Sequence, residues 1–212
     1  MVTTSLPLLP GDVVVVRCRW SIWGALIRLG ARLRGGLGRA DHVAVVHQLG
    51  TDGTVHLIEG RPGGVGHATM AGYTLITSNA AQPKTDRQRE LVVAAAVAAL
   101  GTPYDWLAIA SDAFACLGVP QRDTPGPVRP PRRVVCSALA NWCCYSAGLP
   151  HPGGPDAWVT PDDWDLWCST SGWASTICRA GGTMNSLEMR YFWISCGMAA
   201  GLNSRTTTLR AP

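Results

Sequence analysis

Apolar and polar positions follow two periods along the chain, and the change of period marks the elements. Val13-Val14-Val15-Val16, entered through Gly11 and Asp12, is a β-branched run that predicts a buried strand. From residue 20 to 34 the spacing becomes helical. Ile22, Leu26, Leu29 and Leu33 form an apolar stripe, Arg28, Arg32 and Arg39 a separate row, and Gly35, Gly36 and Gly38 end the element. His42 to Leu49 and Thr54 to Gly60 then read as a hairpin joined through Gly50-Thr51-Asp52-Gly53, and Gly64 to Thr77 holds a further strand or two.

The second half of the chain is helical in pattern. Thr85 to Leu100 begins with a capping box, Thr85 and Gln88. Its expected buried face is Leu91, Ala94, Ala95, Ala98 and Ala99, and Gly101 and Pro103 stop it. Trp106 to Leu117 repeats Leu107, Ala110, Phe114 and Leu117 at helical spacing, and residues 118–133, with five prolines, form a loop. Cys136 to Ala147 predicts a helix stopped by Gly148. Thr160-Pro161-Asp162-Asp163 is a further helix start, with a capping threonine, proline in the first turn and acids at the positive helix end.

Composition narrows the class. With 212 residues, 47% hydrophobic and 15% charged, the chain is long and apolar enough to bury a core, which excludes a disordered, collagen-like or coiled-coil protein. The apolar run Tyr191 to Leu202 is too short to span a bilayer, which takes about 20 residues. The first twelve residues lack the basic and apolar regions of a signal peptide, so none is expected. The net charge of +4 is carried almost wholly by arginine, since Lys84 is the one lysine, and by itself it implies no nucleic acid partner. Eight cysteines occur without a Cys-x-x-Cys pair, so neither a disulfide framework nor a zinc ribbon is expected. No metal or cofactor is called for.

One cysteine differs in context. Cys136 follows the proline-rich loop and opens a predicted helix, whose positive end stabilises a thiolate and whose free N–H groups can hold an oxyanion. Of the five histidines, His42 opens an apolar strand and is placed to face a cleft. A four-residue hairpin loop, Leu49 to Asp52, pairs Gln48 with Gly53, Val46 with Val55, Ala44 with Leu57 and His42 with Glu59. An odd-length loop would break this pairing, because a slip of one residue flips every face. Cys136, His42 and Glu59 thus fit the roles of nucleophile, base and orienter. Cys143 and Cys144 lie mid-helix and read as packing, as do the other cysteines.

The order GDVVVV, an arginine-bearing helix, DHVAVV, HLIEG, GTPYDW and VVCSALANW resembles the circularly permuted branch of the NlpC-type papain-like cysteine peptidases, the YiiX/YaeF-like group. Lecithin–retinol acyltransferases are more distant relatives. The likeness covers roughly residues 10 to 165. It implies an α+β, permuted papain-like fold, with an antiparallel sheet packed against helices and the nucleophile at a helix N-terminus. It also implies Cys136, His42 and Glu59 as the triad and places Tyr104 close to the site, where its phenol reads either as a substrate-binding or oxyanion-donating group or as an ordinary half-buried tyrosine. Two features depart from the pattern. Asp41 precedes the histidine where a small residue is commoner, and the proline-rich stretch before Cys136 is longer.

On this reading residues 1–180 are the catalytic domain and 181–212 a docking segment for this domain or another subunit. The expected activity is thiol hydrolysis of amide bonds, by family analogy the peptide bonds of peptidoglycan. A phage-encoded enzyme, made in the cytoplasm and carried in a virion tail or released at lysis, reconciles a cell-wall substrate with no export signal. The alternatives are a lipid-directed acyltransferase or thioesterase, and a structural virion or assembly protein that keeps the fold. Six arginines between Arg17 and Arg39, with no acid among them, form either a solvated helix face or a surface steering an anionic polymer or lipid head groups. Trp158, Trp164, Trp167 and Trp173 read as core or as a partner surface.

Overall fold

A computed structural model of the chain describes residues 7–19, 21–106, 132–153 and 159–171. All lie within the first of the chain's two units, Met1–Cys178. The segment 181–212 expected to dock, most of the helix expected at 106–117, most of the proline-rich loop, and Trp158, Trp173, Cys116, Cys178 and Cys196 fall outside the described residues.

Five antiparallel strands make one sheet: β1 (Val13–Cys18), β2 (His42–Leu49), β3 (Val55–Arg61), β4 (Gly64–Thr69) and β5 (Tyr73–Ser78), in the order β4-β3-β2-β1-β5. A single 3-10 turn, Met70–Gly72, carries the chain from β4 at one edge to β5 at the other. That link reaches at most about 14 Å. A flat five-stranded sheet is about 19 Å across. The sheet therefore curls, and its concave face closes on itself. There Val14, Val16, Ala44, Val46 and Leu57 pack with Leu8, Val55, Ala68, Met70, Tyr73 and Leu75.

The convex face carries the helices. Val13, Val15, Val43, Val45 and Ile58 meet α2 (Asp86–Ala98), α3 (Cys136–Ser146) and α4 (Pro161–Thr170). All four valines of β1 are fully buried because the strand is covered on both sides. The observed architecture is thus α+β, an antiparallel sheet packed against helices.

The expected capping box of Thr85 with Gln88 forms, and the capping Thr160 forms a second one with Asp163. The inward face of α2 is turned from the expected one. Val92, Ala95, Ala96 and Ala99 are buried, whereas Ala94 and Ala98 are exposed. A run of alanines offers too little hydrophobic contrast to fix the angle, and Val92 decides it.

α1 (Ile22–Leu33) is capped by Ser21, which accepts from Gly24 N–H at 2.9 Å. It docks through its polar side. Arg28 pairs with the buried Asp41, which also accepts from Cys18 N–H at 2.8 Å. A Cβ at Gly24 would lie 2.6 Å from Asp41 Oδ2, so only glycine allows the helix this close. Asp41, the residue before His42, is therefore the anchor of α1.

Candidate active site

The β2–β3 hairpin sets the first pair. Its loop spans five residues between Leu49 and Val55, not the expected four, and the ladder starts as Leu49↔Val55 and Gln48↔His56. Left alone, that odd loop would put His42 and Glu59 on opposite faces. A bulge between Val46 and Gln48 restores the parity, and the ladder continues as Val46↔Leu57 and Val45↔Ile58. Counting onward places Glu59 opposite Ala44. The direct His42–Glu59 opposition is therefore corrected to a diagonal one, within reach of these long side chains. His42 Nε2 lies 3.0 Å from Glu59 Oε2, and both residues are buried.

Glu59 has a second partner that the sequence did not reveal. Tyr73 Oη donates to the same Oε2 at 2.7 Å, and its ring stacks on His42 with centroids 5.7 Å apart and planes 17° from parallel. Tyr73 sits on β5, far from β3 in strand order. Only the curl of the sheet brings them together. Arg61 Nη1 approaches the other carboxylate oxygen at 3.8 Å.

Cys136 enters from the convex side as the first residue of α3. Val135 stands at the N-cap with no side-chain cap bond, so the first N–H groups of α3 are not spent on a capping side chain. Gly60 makes room for it: a Cβ there would lie 3.2 Å from Cys136 N and 3.3 Å from the Val135 carbonyl carbon. The Cys136 thiol lies where the His42 ring and the backbone N–H groups of Val43 and Ser137 favour its ionised form. Since Nε2 is held by Glu59, the ring nitrogen left for the thiol is Nδ1.

The proton distribution follows. Burial pushes the Cys136 thiol up, but the charge and hydrogen bond of His42 and the two backbone N–H groups outweigh it and hold the thiol below its usual value. Burial pulls His42 down, but the charge and hydrogen bond of Cys136, then those of Glu59, raise it to about 10. Burial likewise pushes Glu59 up, and His42, Tyr73 and Arg61 outweigh it, so the carboxyl lies below its usual range. All three directions favour a thiolate beside an imidazolium, backed by a carboxylate.

The other described cysteines behave differently. Burial drives Cys143 and Cys168 far up and Cys144 to about 12. Half-buried Cys18 rises to about 11, through burial and then the charges of Glu59 and Cys136. All five described cysteines are free.

Tyr104 is held beside the cysteine by a short parallel bridge to Val134, in which Val134 N–H donates to Pro103 O at 3.0 Å and Asp105 N–H to Val134 O at 3.2 Å. Burial, followed by the Cys136 charge, raises its phenol well above the ordinary value, so the hydroxyl keeps its proton. Among the described residues no cluster of histidine, cysteine or carboxylate side chains is arranged to hold a metal, and no helix is long and apolar enough to cross a membrane. No protein-family model matches this chain, and no curated protein matches it.

Proposed function

We propose that this chain is a cysteine hydrolase that cleaves amide bonds through Cys136, His42 and Glu59 on a permuted papain-like fold. The observation that carries the reading is the convergence of one pKa-lowered thiol, at a helix N-terminus, with an imidazole already held by a buried carboxylate. The Cys136 thiolate attacks the carbonyl carbon. As the tetrahedral intermediate collapses, the C–N bond breaks and His42 gives its proton to the departing amine. Water then attacks the thioester, yields a proton to His42, and releases the acid and the thiolate. Glu59 keeps the imidazole oriented and offsets its charge. The first N–H groups of α3 and the Tyr104 hydroxyl are the candidate donors to the oxyanion.

The peptide bonds of peptidoglycan are the proposed substrate, on the strength of the sequence resemblance, with a virion tail or release at lysis as the proposed route to the wall. A lipid-directed acyl transfer or thioester hydrolysis is the second reading. It is favoured by the exposed apolar side chains next to the site: Tyr104 meets Trp106 at 5.3 Å between ring centroids, and Trp106 meets Trp23 of α1 at 6.0 Å. Incubation with purified peptidoglycan and mass analysis of the products tests the first. New amine and carboxyl termini, absent with Cys136→Ala, support it. Turnover of acyl esters with no released peptide would replace it by the second.

A further inference from the structure

We infer that α1 is an interfacial helix that seats this domain on an anionic phospholipid bilayer. The helix is mounted with its apolar side outward. At about 100° per residue, Ile22, Leu26, Leu29 and Leu33 fall within about 60° of arc, and Gly24 and Arg28 lie on the opposite side. Those two inward positions are the ones locked to Asp41. The stripe is consequently presented to the outside: Ile22 is 81% and Leu33 71% exposed, and Trp23, Leu26 and Leu29 are each more than half exposed.

The surroundings supply the matching charge. From Arg17 to Ala40 the chain holds six arginines and no acid. Arg28 is used by Asp41 and Arg39 by Asp165. Arg32 flanks the stripe by helical position, and Arg17 and Arg19 are exposed on the strand end that leads into the helix. An apolar stripe edged by tryptophan and arginine fits a headgroup–acyl boundary with negative lipids. At twelve residues, or about 18 Å, α1 lies in the surface plane and does not cross it.

The test is flotation of the full chain with vesicles of phosphatidylcholine, with or without 30 mol% phosphatidylserine, and it reads binding alone. Cys136→Ala is used alongside, so that a failure of the catalytic reading leaves this result intact. Both chains are expected to float with the anionic vesicles at least roughly tenfold better than with the neutral ones, each exposed arginine contributing about fivefold. The double variant Leu26→Asp/Leu29→Asp is expected to lose flotation at least tenfold with an unchanged Tm. Arg19→Gln/Arg32→Gln is expected to lose about twentyfold toward the anionic vesicles. Absence of flotation overturns the inference, as does flotation that survives Leu26→Asp/Leu29→Asp. Self-association abolished by that variant, without lipid binding, would assign the stripe to a second copy of the chain. A lowered Tm without lipid binding would assign it to the chain's own remaining segments.

Discussion

His42 and Glu59 meet at 3.0 Å across a diagonal of the β2–β3 ladder, and they share a face because the bulge near His47 undoes the slip introduced by a five-residue loop. Two local irregularities cancel in parity and leave a shift of register. The carboxylate consequently reaches the imidazole from one side and is braced from the other by Tyr73.

Glu59→Gln removes the negative charge that supports the imidazolium. The His42 pKa falls and the Cys136 pKa rises, so the thiolate share at neutral pH drops. Hydrolysis is expected to fall on the order of 10²–10³-fold, with the acid limb of the pH–rate profile moved to higher pH. Stability carries the same signature. The depressed Glu59 carboxyl contributes stability that is present above its unfolded value and lost as pH falls through the folded one. The raised His42 contributes stability that is full below 6.5 and lost as pH rises through about 10. Thermal melts across pH should show both limbs in the native chain and a flattened acid limb in Glu59→Gln.

Tyr73→Phe deletes a 2.7 Å hydrogen bond to a buried carboxylate while keeping the ring on His42. Bonds to charged groups are worth about 1.5–3 kcal/mol. A loss of roughly tenfold in kcat, with little change in KM, is expected, together with a small upward shift of the Glu59 titration. A change in KM alone would place Tyr73 against substrate instead.

Gly60→Ala presses a Cβ against the backbone of Val135 and Cys136, at 3.2–3.3 Å, where no side chain can swing aside. A destabilisation of about 1–3 kcal/mol is expected in urea unfolding. Activity should fall further than stability explains, because the group displaced is the proposed nucleophile.

Asp41→Asn leaves Arg28 without its partner and loosens α1. Breaking a buried pair costs about 3–5 kcal/mol. Arg28 is 22% exposed, and with that solvent access a loss nearer 2 kcal/mol is expected, read by denaturant unfolding.

The reach of the sequence has a physical boundary. Val13 to Val16, the Thr85–Gln88 capping box, the capping Thr160 and the start of α3 at Cys136 were legible because each rests on local chemistry: β-branching, a cap geometry, a helix beginning. The right face for His42 and Glu59 came from the wrong register, since loop length and bulge position depend on how the whole sheet curls. Tyr73 was invisible for the same reason, being brought to Glu59 across the curled sheet and not by a neighbouring strand. The stripe on α1 was read correctly as a stripe, but its direction depends on Asp41, a residue noticed only as a departure from a pattern.

Thiol reactivity tests the nucleophile most directly. Full-length protein is treated with a limiting pulse of iodoacetamide at pH 5.5, and each cysteine is quantified by peptide mass spectrometry, in the native chain and in His42→Ala. Cys136 should be alkylated well before Cys18, which is more exposed but has its thiol raised to about 11, and before the fully buried Cys143, Cys144 and Cys168. Its rate should fall at least roughly tenfold in His42→Ala. Uniform slow labelling, or a Cys136 rate indifferent to His42, would contradict an activated thiolate at the head of α3.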